Sequence, residues 1–196
     1  MRSYHHGDLR RALVNAGLQL LEEGGPEALT VRAAARTAGV SRTAPYRHFR
    51  DRRALIAAVA EQCFGRMGEE IARAVQEGAQ GLPALRRGLQ AYAAFAQRNP
   101  AQYRVMFGPE LSDREGLPAL EGAALGVFGL LREGMVRMQE SGAVGAGDPG
   151  LMATTAWATM HGVVMLALDG QAAATGERIE TLVDAAIDLV VRGMAR

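Results

Sequence analysis

Residues 30–53 read TVRAAARTAGVSRTAPYRHFRDRR, and the spacing within this stretch predicts two short helices joined by a tight turn. Val31, Ala34, Ala35 and Ala38 recur at helical intervals, with Thr30 placed to cap the first helix. Gly39 follows where a left-handed residue is wanted, and Val40 and Ser41 complete a very short connection. The second helix is expected to start at once, capped by Ser41, with Arg42, Thr43, Ala44, Tyr46, Arg47 and His48 in its first two turns. Small residues at a helix crossing, followed by a polar and cationic second helix, make the pattern of a helix-turn-helix that reads a DNA major groove.

The run Val40-Ser41-Arg42-Thr43-Ala44-Pro45-Tyr46-Arg47-His48-Phe49, with Arg52 and Ala54-Leu55 after it, resembles the recognition helix and next helix start of the TetR family of transcriptional regulators. Tyr4-His5-His6-Gly7-Asp8-Leu9-Arg10 is similar to the opening of many members, so the resemblance covers residues 4–59. It implies an all-α protein: an N-terminal three-helix DNA-binding module over 1–59 and a helical effector-binding and dimerisation body over 60–196. It also implies that Arg32, Arg42, Thr43 and Tyr46 reach base edges. Thr30, the Ala44 backbone, Arg47, His48 and Arg52 would hold phosphates, with Ser41 in the same interface. Two positions depart from the family pattern. Pro45 stands where Leu is common, and its missing N–H and its ring against the Ser41 carbonyl are expected to distort the helix start. Arg52 replaces the usual Lys, putting a forked donor in place of a point charge.

Charge is divided unevenly along the chain. Residues 1–60 carry ten Arg against five acids, a net +5, whereas 61–196 carry twelve Arg against sixteen acids, a net −4. A cationic module joined to an acidic remainder is the electrostatic footprint of a protein that grips phosphates with one part only. Every cation is an Arg, since the chain has no Lys.

Cys63 is the sole cysteine, which excludes an internal disulfide and fits a reducing, cytoplasmic setting. In the spacing Leu55, Val59, Cys63 it reads as a small buried hydrophobe. His5 and His6 have no third ligand nearby, so neither a metal nor a cofactor is expected. The N-terminus has no apolar signal segment. The charge-free run from Pro149 to Leu168 is interrupted by Thr, Gly and His161, leaving an apolar part shorter than the ~20 residues of a membrane span.

Helical punctuation continues to the C-terminus with neither strand alternation nor repeats. The first helix is expected from about Asp8 to Glu23, halted by Gly24-Gly25-Pro26. A longer one runs from Asp51 to about Ala79, joining module to body with no linker, so that a shift in one is passed on as a lever. Leu82-Pro83 opens a helix closed by Asn99-Pro100, and a short helix follows to Gly108-Pro109. Further helices span roughly Pro118–Ser141, Pro149–Leu168 behind the cap Asp148, and Gly176–Met194.

The last two helices suggest a homodimer. The first of them is apolar or small on all sides, and the second adds Ile179, Leu182, Val183, Ala186, Leu189 and Val190. A helix without a polar face is buried on both sides, one against its own core and the other against a symmetry mate. Trp157, His161 and Gly162 are similar to the C-terminal domain of a TetR subgroup named after those letters. For His161 alone, a packed core histidine and a ligand contact are both open readings. Tyr92, Phe95, Tyr103, Met106, Phe107, Phe128, Met135, Trp157, Met160, His161 and Met165 offer an adaptable apolar lining for a small effector, although the same stripe serves a plain core. No phosphate-cradling glycine motif, metalloprotease pattern or nucleophile elbow occurs, so an enzyme is not expected. The readings are a dimeric repressor released from a pseudo-palindromic operator in double-stranded DNA by an apolar effector, and an architectural DNA binder without a ligand.

Overall fold

A computed structural model describes residues 6–76, 80–172 and 176–195 of the chain. Eight α-helices are present among the described residues: α1 (His6–Ala28), α2 (Val31–Thr37), α3 (Arg52–Gln76), α4 (Leu82–Arg98), α5 (Pro100–Met106), α6 (Pro118–Glu140), α7 (Pro149–Leu168) and α8 (Ile179–Met194). Two 3-10 turns, Ala44–Arg47 and Pro109–Leu111, supplement them, and the only extended pairing among these residues is an isolated bridge from Val144 to Ala195. The all-α expectation therefore holds.

The chain divides into two compact units. One takes in the described residues through Phe64 together with Ala101–Ala124, and the other comprises Gly65–Pro100 and Leu125 onward. The unit containing the helix-turn-helix thus includes α5 and the Pro109–Leu111 turn, which lie far beyond residue 59 in sequence.

In the first unit Leu13, Leu21, Leu29, Leu55 and Val59 are fully buried, each contributing on the order of 1.5–3 kcal/mol of apolar burial. Gly17 lets α1 approach α3 closely: a Cβ there would lie 2.8 Å from the Val59 Cγ2 and 3.1 Å from the Leu29 Cδ1. Helix α1 breaks at Gly25, whose φ of 69° and ψ of −171° are not helical, and one more turn from Pro26 completes it. The sequence stop at Gly24-Gly25-Pro26 is therefore real, but the chain resumes helical geometry after it.

Helix α3 has a cap that the sequence reading passed over. Oδ1 of Asp51 accepts from the Ala54 N–H at 2.8 Å, satisfying one of the orphan donors of the first turn. Deeper in this unit Gln102, the buried polar residue of α5, donates to Glu22 Oε1 at 2.9 Å, and its own Oε1 lies 3.6 Å from the Cys63 Sγ. Cys63 is wholly buried, as its spacing implied.

In the second unit α4, α7 and α8 pack on one another. Helix α4 turns Leu85, Leu89, Tyr92, Phe95 and Ala96 inward; α8 contributes Val183, Ala186, Ile187 and Val190. Arg86 of α4 pairs with Asp188 of α8. That guanidinium holds the Asp188 carboxyl below the usual carboxylate range.

The expected cap Asp148 accepts from the Gly150 N–H at 2.7 Å, and Pro149 occupies the first turn of α7. The start of α8 lies later than its sequence suggested. Gly176 has a φ of 75° and Arg178 is extended, so the helix begins at Ile179. A second correction concerns α7, which is in fact long and apolar enough to cross a membrane by length and composition. Within it Thr154, Thr155 and Thr159 donate to carbonyls four residues back.

Candidate functional site

The first helix of the candidate DNA-binding motif forms as its sequence dictates. Oγ1 of Thr30 accepts from the Ala33 N–H at 3.1 Å, Val31, Ala34 and Ala35 are buried, and Gly39 adopts a φ of 68°. A Cβ in that left-handed region would be strained, so glycine here shapes the turn into the second element.

The second element differs from the expected α-helix. Residues Ala44–Arg47 form a 3-10 turn, with the Ala44 N–H on Ser41 O at 3.2 Å, Tyr46 on Thr43 O at 3.3 Å and His48 on Pro45 O at 2.9 Å. An α-helix starting at Ser41 needs a donor at position 45 for the Ser41 carbonyl, and Pro45 has none. The carbonyl therefore takes the shorter bond from Ala44. Ser41 is not a cap: its hydroxyl lies 3.5 Å from the Thr43 hydroxyl, and the 3-10 turn has no side-chain cap. Pro45 itself is buried, anchoring the turn.

This geometry leaves Arg32, Ser41, Arg42, Thr43, Tyr46 and Arg47 exposed, Tyr46 at 49%. Thr30, Ala44 and His48 are half-buried. Nε2 of His48 is buried without a hydrogen-bond partner, so a phosphate contact through that nitrogen would require the turn to shift. Phe49 lies beneath the surface, with the Arg10 guanidinium 5.9 Å from its ring centre.

Arg52 is engaged within the chain itself. Its Nε donates to Leu29 O at 2.8 Å, one terminal nitrogen to Pro26 O at 2.7 Å, and the other to Glu110 Oε1 at 2.6 Å. The guanidinium fork thus ties the end of α1 to the start of α3, its three donors spread over a rigid plane where a lysine offers one compact ammonium. Beside it, Arg53 donates to the Asp113 carbonyl at 2.6 Å. Sequence reasoning missed Glu110 because its partner is 58 residues away and no local pattern links them.

The candidate effector residues fall into both units. Tyr103 and Phe107 stack at 4.8 Å between ring centres, and Phe107 meets Phe64 edge-on at 5.4 Å; with Met106 they belong to the helix-turn-helix unit. The other candidates belong to the second unit. Phe95, Met135 and Met160 have no exposed surface there, so they contact no void large enough to admit water. Tyr92, Phe128, Trp157, His161 and Met165 keep some accessible surface.

Three of these residues form a polar chain. The Trp157 indole N–H donates to the Tyr92 hydroxyl at 3.2 Å, and that hydroxyl lies 3.1 Å from the His161 Nδ1. Phe128 packs edge-on against Trp157 at 6.3 Å. Burial lowers the His161 pKa below its ordinary value, favouring the neutral imidazole. No cluster of three or more metal-ligating side chains occurs among the described residues; His5 lies outside them, as does the side chain of His6.

A short capped helix, a left-handed glycine turn and an exposed cationic element after it define a helix-turn-helix DNA-binding protein. Comparison with known proteins agrees at both ends of the chain. Residues 13–59 match the model for bacterial regulatory proteins of the tetR family, and residues 85–190 match that for the tetracyclin repressor-like C-terminal domain. The chain belongs to the TetR family of transcriptional regulators. A protein of unknown function from Rhodococcus sp. RHA1 is 34% identical with a TM-score of 0.86, 100% of each chain being covered. Two more distant structures share the fold. The TetR family regulator PfmR from Thermus thermophilus is 23% identical (TM-score 0.68, covering 94% of this chain and 99% of that one). FadR from Bacillus subtilis in complex with stearoyl-CoA is 18% identical (TM-score 0.74, covering 94% and 98%).

Proposed function

We propose that this regulator is a dimeric repressor that leaves a pseudo-palindromic operator when a largely apolar small molecule binds its helical body. The observation that supports this best is α7, which carries no Asp, Glu, Lys or Arg yet exposes Leu151, Trp157 and Leu166 at 67%, 37% and 50%. Leu189 of α8 is 72% exposed. Large apolar side chains bare on two neighbouring helices favour a partner, and a second copy supplies the same apolar surface by two-fold symmetry.

An operator then has two half-sites on one face of the duplex. Arg32, Arg42, Thr43 and Tyr46 are assigned to base edges; Thr30, Ala44 and Arg47 are assigned to phosphates, with His48 and Arg52 joining them once freed of their present surroundings. The effector is assigned to the side of the body bearing Tyr92, Phe128, Trp157, His161 and Met165, with the wholly buried residues as its backing. A charged group would need a counter-charge that α7 does not supply. A protein with this fold is seen in complex with stearoyl-CoA, a molecule with a long apolar acyl chain.

The complete burial of Phe95, Tyr103, Met106, Met135 and Met160 favours a second reading, a ligand-independent DNA binder whose body is plain core. Light scattering together with operator-release titrations of apolar compounds separates the two. A dimer released by at least one compound class, with the response lost in Trp157→Ala, supports the repressor. A dimer on which no such compound acts supports the second reading.

A further inference from the structure

We infer that Glu110 is a built-in counter-ion that competes with DNA phosphates for Arg52 and thereby sets the affinity of the helix-turn-helix surface for DNA. Residues 42–53 carry Arg42, Arg47, Arg50, Arg52 and Arg53 against a single acid, Asp51. That acid is occupied locally, accepting from the Arg50 Nε at 3.1 Å and the Ala54 N–H at 2.8 Å. A second negative charge reaches this cationic stretch from elsewhere in the chain. The Pro109–Leu111 turn places the Glu110 carboxylate 2.6 Å from Arg52, and three residues after Glu110 the Asp113 carbonyl accepts from Arg53 at 2.6 Å. One short segment thus offers an anionic oxygen to Arg52 and a neutral oxygen to Arg53.

The pair is suited to exchange. The side chains of Arg52 and Glu110 keep 34% and 41% of their surface, so solvent ions and phosphates have access and the bridge itself adds little to stability. The Pro26 and Leu29 carbonyls hold two other donors of the same guanidinium in place. Losing Glu110 therefore frees a cation without releasing the side chain. While the pair is closed, Arg52 adds no net charge to the DNA-facing surface; opened, it adds one.

This inference rests on the DNA-binding reading, and the test separates the two. Binding of the intact protein to a fluorescein-labelled, mixed-sequence duplex of about three helical turns is measured by anisotropy across a salt series. The variants are Glu110→Gln, Glu110→Ala and, as a control for total charge, Glu115→Gln, with thermal melts confirming the fold. Both Glu110 variants are expected to bind about fivefold tighter at low salt, the order expected for removing one nearby unit charge. Their log–log salt slope should steepen by about one, whereas Glu115→Gln leaves both quantities near wild type. Unchanged or weaker binding by folded Glu110 variants overturns the competition, as does an equal gain in Glu115→Gln, which would indicate only the total charge. A wild-type protein that binds no duplex overturns the DNA-binding reading itself.

Discussion

The Tyr92 hydroxyl stands 3.1 Å from Nδ1 of His161 while accepting the Trp157 indole N–H at 3.2 Å, so one phenol joins α4 to two successive turns of α7. Tyr92 is nearly buried, and Tyr92→Phe keeps its ring while deleting the shared oxygen. The variant should lose about 1 kcal/mol, the order of one net intramolecular hydrogen bond. Chemical denaturation measures the loss, and the Trp157 emission should shift. A variant as stable as wild type, with unchanged emission, would mean that the chain of hydrogen bonds contributes nothing.

His161 makes stability depend on pH in a definite direction. Its folded pKa lies below the ordinary 6.5, so in the window between the two values the unfolded chain holds more protons than the folded one. The contribution is therefore complete above the unfolded value and is lost as pH falls through the folded one. Melting temperature from pH 7.5 downward should fall more steeply in wild type than in His161→Gln. Parallel curves would assign the acid sensitivity to other groups.

Gly17→Ala tests the approach of α1 to α3. The added Cβ would meet the Val59 side chain at 2.8 Å, too close for ordinary contact. Overpacking of this kind typically destabilises by about 1–3 kcal/mol. Combining it with Val59→Ala should recover part of the loss, which urea titration of the two single variants and the double variant would show.

Leu189→Arg addresses the proposed dimer. Because Leu189 is 72% exposed, the charge is harmless in a solitary chain and harmful only where a partner covers it. Sedimentation should report a monomer with the circular dichroism of wild type. Retention of a dimeric mass would place the interface elsewhere.

Pro45→Ala restores an N–H four residues after the Ser41 carbonyl. Residues 42–48 should then move toward α-helical Cα chemical shifts, as the i→i+3 bonds of the present turn give way. If the shifts stay where they are, burial of this segment and not proline sets its geometry.

These cases also show what a linear sequence carries. The Thr30 cap, the Gly39 turn and the Asp148-Pro149 start were legible because each depends on residues within four positions of one another. The distortion at Pro45 was legible as chemistry, although its outcome, a 3-10 turn, depended on how the neighbouring carbonyls found donors. The partners of Arg52 were not legible, because its three acceptors come from Pro26, Leu29 and Glu110, far from it in sequence. Among the proposed effector residues, composition could not distinguish the wholly buried Met135 and Met160 from the accessible Trp157; only packing does.

Cys63 gives the molecule a reporter of its own motions. It is the single thiol of the chain, fully covered and held near Gln102 between α3 and α5. A maleimide or disulfide reagent reaches that sulfur when its cover opens, so labelling proceeds at the fraction of molecules open multiplied by the reactivity of a bare thiolate. The half-life of the unlabelled protein thus becomes a clock for breathing of the DNA-binding unit. Read with and without a bound duplex, it requires no engineered probe.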